Sequence, residues 1–203
     1  MKRQQRDLVS LFNALWYRDF PVTPVHMHLG RRAVWTTHIA SIIKRSADYM
    51  GYFTCFETGG RTDAVIQTAD GREWARIEWE WAQPRLEKVN EIGKLSDATQ
   101  GASDLAVFVG YSDTRYHDDN IQSILEQWRS SGTLIAFIVE FELKGRTRRF
   151  TKLRSYVFKD GACKALRQQE ALPWNVPGSR WQLLAQGAPS EQSGASELGD
   201  GDL

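Results

Sequence analysis

The run Leu105-Ala106-Val107-Phe108-Val109, within DLAVFVGY at 104–111, is apolar at five successive positions. A strand reads this way when neither of its faces meets water, and a second strongly apolar stretch follows at Thr133 to Leu143. Two such strands require helices to cover the sheet, and the chain supplies them. Leu8, Leu11, Phe12, Leu15 and Trp16 recur at helical spacing within Arg6 to Tyr17, with Pro21 and Pro24 beyond. Trp35 to Tyr49 places Ile39, Ile42 and Ile43 on one side and stops at Gly51. Leu86 to Leu95 or slightly further, and Asp118 to Arg129, read as two more helices.

Three shorter strands precede the apolar ones. Tyr52 to Glu57, Thr62 to Thr68 and Trp74 to Trp81 form a predicted antiparallel meander, joined by turns containing Gly59-Gly60 and Asp70-Gly71. Phe150 to Lys159 should pair with the Thr133 strand across Lys144-Gly145. The element order ααβββαβαββ describes an α/β fold with a mixed sheet flanked by helices. At 203 residues this is one domain of ordinary size. We divide it into an N-terminal helix and connector (1–30), an α/β domain (31–185) and a tail (186–203) that is Gly, Ser and acid rich and is expected to be disordered.

No run of 18 apolar residues is present, and the start MKRQQRDLVSLFNALW lacks a signal-peptide pattern, so the expectation is a cytoplasmic protein with no membrane segment. Cys55 and Cys163 read as free thiols, being too few for a disulfide framework or a zinc site. The formal charge of +1 hides an uneven distribution. Glu191, Glu197, Asp200 and Asp202 are the only charges after Gln186, and removing those four negatives from +1 leaves the rest at +5. Lys144, Arg146, Arg148, Arg149, Lys152 and Arg154 open a segment, ending at Arg167, that carries nine basic residues against the single acid Asp160. Interleaved with Phe150, Tyr156 and Phe158, it is a candidate phosphate-binding surface; a solvated hairpin is the alternative.

The predicted meander carries the candidate chemistry. Alternation along Trp74 to Trp81 puts Arg76, Glu78 and Glu80 on one face and Ile77, Trp79 and Trp81 on the other. Asp63 sits fifteen residues before Glu78, on the neighbouring strand of a tight hairpin, where the two can face each other. Three carboxylates in one small patch repel unless a cation or a basic group compensates, and Mg²⁺ suits such oxygen ligands. An exposed amphipathic strand is the plainer reading.

Here the chain resembles the PD-(D/E)xK nuclease superfamily, whose core is a helix, a three-strand meander, a helix and a strand; the likeness covers about residues 31 to 143. Asp63 takes the place of the motif aspartate, with Thr62 where a proline is common, and Glu78 that of the second acid. Glu80 stands at the lysine position, a departure, while Lys88 and Lys94 lie on the next helix and Lys94 is the better placed. The resemblance implies a restriction-endonuclease-like fold. It also implies Mg²⁺ or Mn²⁺ held by Asp63, Glu78 and the carbonyl of Trp79, with Glu80 a further ligand or base and Lys94 stabilising charge on the phosphate. The implied activity is phosphodiester hydrolysis, with DNA the expected substrate; a homodimer is compatible with it. The competing expectation is a nuclease-like fold that no longer cuts and binds nucleic acid or protein. Asp48, Glu57 and His38 are further candidates around the site.

Other sites have less support. His26 and His28 form an H-x-H pair without an evident third ligand. Neither a P-loop nor a G-x-S-x-G elbow occurs. Most of the eight tryptophans, Trp79 and Trp81 among them, are expected in the core, while Trp128 and Trp174 could line a base-stacking surface.

Overall fold

The computed structural model describes residues 1–21, 32–58, 62–99, 105–145 and 147–185. One sheet holds β1 (Phe53–Thr58), β2 (Thr62–Gln67), β3 (Glu73–Trp79), β4 (Leu105–Asp113), β5 (Thr133–Lys144), β6 (Thr147–Lys159) and β7 (Ala162–Glu170), in chain order from edge to edge. Pairing is antiparallel in β1-β2-β3, parallel in β3-β4-β5 and antiparallel again in β5-β6-β7. The helices are α1 (Arg3–Arg18), α2 (Arg32–Tyr49), α3 (Glu91–Thr99), α4 (His117–Gln127) and the short α5 (Arg180–Ala185). The two parallel connections run through α3 and α4 and advance the same way along the sheet. Right-handed crossovers therefore set both helices on one face.

On the other face α1 and α2 pack against Ile77, Val107, Val109, Ile135, Phe137 and Val139. Phe12 stacks on Phe137 with ring centroids 3.7 Å apart, and the Trp16 indole N–H donates to the Ala171 carbonyl at 2.7 Å. Ile92 and Leu95 of α3 and Ile124 of α4 cover Ala106, Phe108, Leu134, Ala136 and Ile138. All nine residues of β4 are buried, as its apolar run requires. Cys55 and Cys163 are both free thiols.

Three expectations about elements are corrected. The stretch that should have been helical from Leu86 begins its helix only at Glu91; 82–90 is a series of turns, marked by Leu86 N–H to Gln83 O and Val89 N–H to Leu86 O. Its apolar residues are too sparse to bury a helical face. The polar segment Ala162–Glu170, read only as basic surface, is strand β7, because it completes the ladder along β6. Glu80 falls just past the regular end of β3 at Trp79. His26, His28, Arg146 and the tail from Gln186 lie outside the described residues.

Candidate functional site

The β2–β3 hairpin closes through Thr68 to Arg72, where Gly71 takes φ +80°, a left-handed conformation that costs glycine nothing. That turn pairs Ala64 with Ile77. One residue further along the same register, Asp63 comes opposite Glu78 on the face that α3 covers. The two carboxyls lie within hydrogen-bonding reach of each other. Asp63 Oδ2 also accepts the Trp79 backbone N–H at 2.8 Å. Glu78 is 4% exposed.

Burial, the negative charge of Asp63 and the hydrogen bond to it push the Glu78 carboxyl up to about 8, against a smaller opposing pull from Lys94. Burial raises Asp63 too, and the charges of Glu80 and Glu91 add to this, while the Trp79 amide works the other way. One proton shared between two carboxyls is the expected state of such a pair.

Glu80 is the third predicted carboxylate, and its side chain is turned to other partners. Its Oε1 accepts the Ala82 N–H at 2.8 Å and lies 3.7 Å from Arg32 Nη2, although its charge is still felt by Asp63. Strand alternation set the expectation, and regular strand geometry ends one residue earlier. Among the described residues no three His, Cys, Asp or Glu side chains form a ready metal cage. Lys94 of α3 acts electrostatically on both Asp63 and Glu78 and donates to Glu91 Oε1 at 3.0 Å. Glu91 was not singled out in the sequence. Its position three before Lys94 on a helix is the signal that could have found it.

The remaining candidates are dispersed. Asp48 pairs with Lys44 on α2. His38 is buried among Trp16, Phe20 and Trp35, and that burial drives its imidazole down to about 3. Glu57 takes φ +52° on the edge strand, in register with Asp63. Trp128 is buried in the interior, and Trp174 is half-buried with its ring against Phe20.

The basic segment does not present one face. Lys144 and Arg149 are exposed, but Lys152 pairs with Glu170 and Arg154 Nε lies 3.0 Å from Glu140 Oε1. Arg148 lies over the rings of Trp81 (4.2 Å) and Phe141 (4.4 Å), and its Nη1 donates to the Trp81 carbonyl at 3.0 Å. The register shift opposite Val139–Phe141 puts an extra residue into β6 between Phe150 and Leu153, so Arg148 and Arg154 end on opposite faces of the sheet although an even number of residues separates them. Glu140, 3% exposed, is the centre of a network the sequence did not reveal: it also meets His117 Nδ1 at 2.9 Å, and His117 Nε2 lies 2.7 Å from the Tyr156 hydroxyl.

No family model matches this sequence, and no curated protein matches it. Among solved structures, the YaeQ protein of Xanthomonas axonopodis pv. citri is similar over 59% of this chain and 70% of its own, at 10% identity and a TM-score of 0.26. The YaeQ protein of Pseudomonas syringae gives 58% and 67%, at 10% identity and a TM-score of 0.25. Likeness at that level says nothing of a shared activity.

Proposed function

We propose that this chain is a divalent-metal-dependent nuclease with a restriction-endonuclease-like arrangement, hydrolysing phosphodiester bonds of DNA. One observation carries the reading: Asp63, half-buried, and Glu78, buried, are held carboxyl to carboxyl on adjacent strands, where burial disfavours both charges and the charge of Asp63 further disfavours that of Glu78. Such a pair is poorly explained as a structural element, since replacing it by apolar residues would remove the penalty.

The donor set fits Mg²⁺ or Mn²⁺, which take one or two carboxylates and keep several waters. Asp63 and Glu78 would hold the ion. In an extended strand a residue's N–H and C=O point to the same side, and since the Trp79 N–H points to Asp63, its carbonyl would be the third oxygen donor. When bound, the ion would polarise a phosphoryl oxygen and lower the pKa of a coordinated water. Lys94 would stabilise negative charge gathering on the phosphate, and Glu91 fixes the direction of its ammonium. Glu80, bonded to Ala82, would orient water from the rim of the site. The exposed Lys144 and Arg149 remain as backbone contacts.

The second reading is a non-cutting nucleic-acid-binding or protein-binding subunit, and Glu80 at the lysine position favours it. Cleavage of plasmid DNA with Mg²⁺ or Mn²⁺, with and without chelator, separates the two. Chelator-sensitive cleavage that Asp63→Asn and Glu78→Gln each reduce by about 10²- to 10³-fold supports the nuclease. Binding without cleavage in either metal sinks it.

A further inference from the structure

The segment from Trp81 to Asn90 links Glu80, just past the end of β3, to Glu91 and Lys94 at the start of α3, and it has no regular secondary structure. Strand-to-helix connections of this kind commonly take about two to six residues. This longer one is fastened at successive points by one helix. Asn120 of α4, fully buried, accepts the Arg85 N–H on Oδ1 at 3.1 Å. Its Nδ2 lies 3.0 Å from Gln83 Oε1, 2.9 Å from Ser112 Oγ and 2.8 Å from the Tyr116 carbonyl, two protons shared among three acceptors. Gln83 Oε1 accepts the Asp113 N–H as well, at 3.0 Å. One turn along α4, Ser123 Oγ donates to the Pro84 carbonyl at 3.1 Å; one turn further, Gln127 Nε2 donates to the same oxygen at 3.2 Å.

Asn120, Ser123 and Gln127 follow at intervals of three and four, so they form one polar stripe along a single face of α4. All of its bonds into the 81–90 segment end at Gln83, Pro84 and Arg85, midway between Glu80 and Glu91. Beyond the segment, α3 touches the same helix region again where the Arg129 N–H donates to Ser96 Oγ at 2.9 Å. The Asp63–Glu78 pair is built on sheet strands, whereas Lys94 is built on a nine-residue helix that packs on the sheet through Ile92 and Leu95 and follows directly on this segment. Sheet packing through Ile92 and Leu95 holds the helix down, and the shape of the segment sets where along the sheet its first turn, with Lys94, begins.

We propose that the Asn120, Ser123 and Gln127 stripe is a positioning clamp that sets α3, and with it Lys94, against the Asp63–Glu78 pair. None of the three touches the reacting groups; they act through the chain between Glu80 and Glu91. The catalytic part of this inference rests on the nuclease reading, but the clamp itself does not, so it is tested by two readouts.

The variants are Asn120→Ser and the double change Ser123→Ala with Gln127→Met. The double change touches only half-buried positions and should fold even if the buried Asn120 change does not. By hydrogen exchange in the full chain, amides of α3 and of 85–90 should exchange about tenfold faster, the factor expected for losing one or two hydrogen bonds, while β4 and β5 stay as protected as before. Unchanged exchange in α3 overturns the clamp, and a uniform acceleration through the sheet overturns it too, since that is general loss of stability. In cleavage assays kcat should fall about tenfold with KM unchanged, and the same changes made on Lys94→Ala should cost nothing further. Full additivity with Lys94→Ala overturns the link to Lys94. If the parent chain cleaves nothing, the nuclease reading has failed, and hydrogen exchange alone decides the clamp.

Discussion

Asp63 and Glu78 stand opposite each other across the β2–β3 pair with their carboxyls within hydrogen-bonding reach, an arrangement that favours one of them holding a proton. Between the ordinary carboxylate range and about 8, the folded chain therefore holds a proton that the unfolded chain has released. A raised folded pKa makes a contribution that is complete below the unfolded value and is lost as pH rises through the folded one. Stability should decline from about pH 5 to pH 8, at up to about 1 kcal/mol per pH unit. Thermal melts across that window should show the decline in the parent chain and a flatter profile in Glu78→Gln. A parent profile that is flat or rises would contradict the shared proton.

A divalent ion should replace that proton. At pH 8, Mg²⁺ or Mn²⁺ at a hundred times its dissociation constant should stabilise the folded chain by about 2.7 kcal/mol. The gain should shrink towards pH 5, where protons compete, and should vanish in Asp63→Asn. Calorimetric titration with Mn²⁺ at both pH values checks this directly.

Glu80 should matter less than its two neighbours. Glu80→Gln keeps an oxygen for the Ala82 N–H and removes only the charge felt by Asp63, so cleavage should fall about tenfold rather than 10²- to 10³-fold. A loss equal to that of Glu78→Gln would make Glu80 a direct ligand.

Arg148 should be a stability residue. Arg148→Ala strips a guanidinium from Trp81 and Phe141 and leaves the Trp81 carbonyl without that donor, which should cost about 1–3 kcal/mol in urea denaturation. Arg149→Ala, one residue on and exposed, should leave the urea midpoint in place and weaken DNA binding at low salt.

Glu140 should behave oppositely to Glu78 with pH. Burial works to raise its carboxyl, but the His117 hydrogen bond, together with the His117 and Arg154 charges, outweighs it and leaves the group below its ordinary value. A depressed pKa stabilises above the unfolded value, and the contribution disappears as pH falls through the folded one, so this group makes the fold acid-labile below about pH 4. Glu140→Ala, which orphans both partners, should cost about 3–5 kcal/mol at pH 7 by denaturant titration.

What the sequence by itself determined is local. The apolar runs of β4 and β5 could be satisfied only in the middle of a covered sheet. The 3.6-residue spacing in Leu8, Phe12 and Leu15 could be satisfied only by a helix lying on it. Asp70-Gly71 closes a tight turn, and that turn places Asp63 beside Glu78, because register in a hairpin follows from a few neighbouring residues. Tertiary structure decided the rest, through partners far away in the chain. Ala162–Glu170 has no strand-like alternation and becomes β7 because β6 offers it a ladder. Arg148 finds Trp81, 67 residues earlier, as a partner for its guanidinium. Asn120 looks like one polar residue in a helix until Gln83, 37 residues before it, and Arg85, 35 before it, come within hydrogen-bonding reach. Periodicity and turn chemistry act between neighbours, so a sequence displays them; a buried polar group takes whichever partner the folded chain brings to it, and that choice exists only once the sheet is complete.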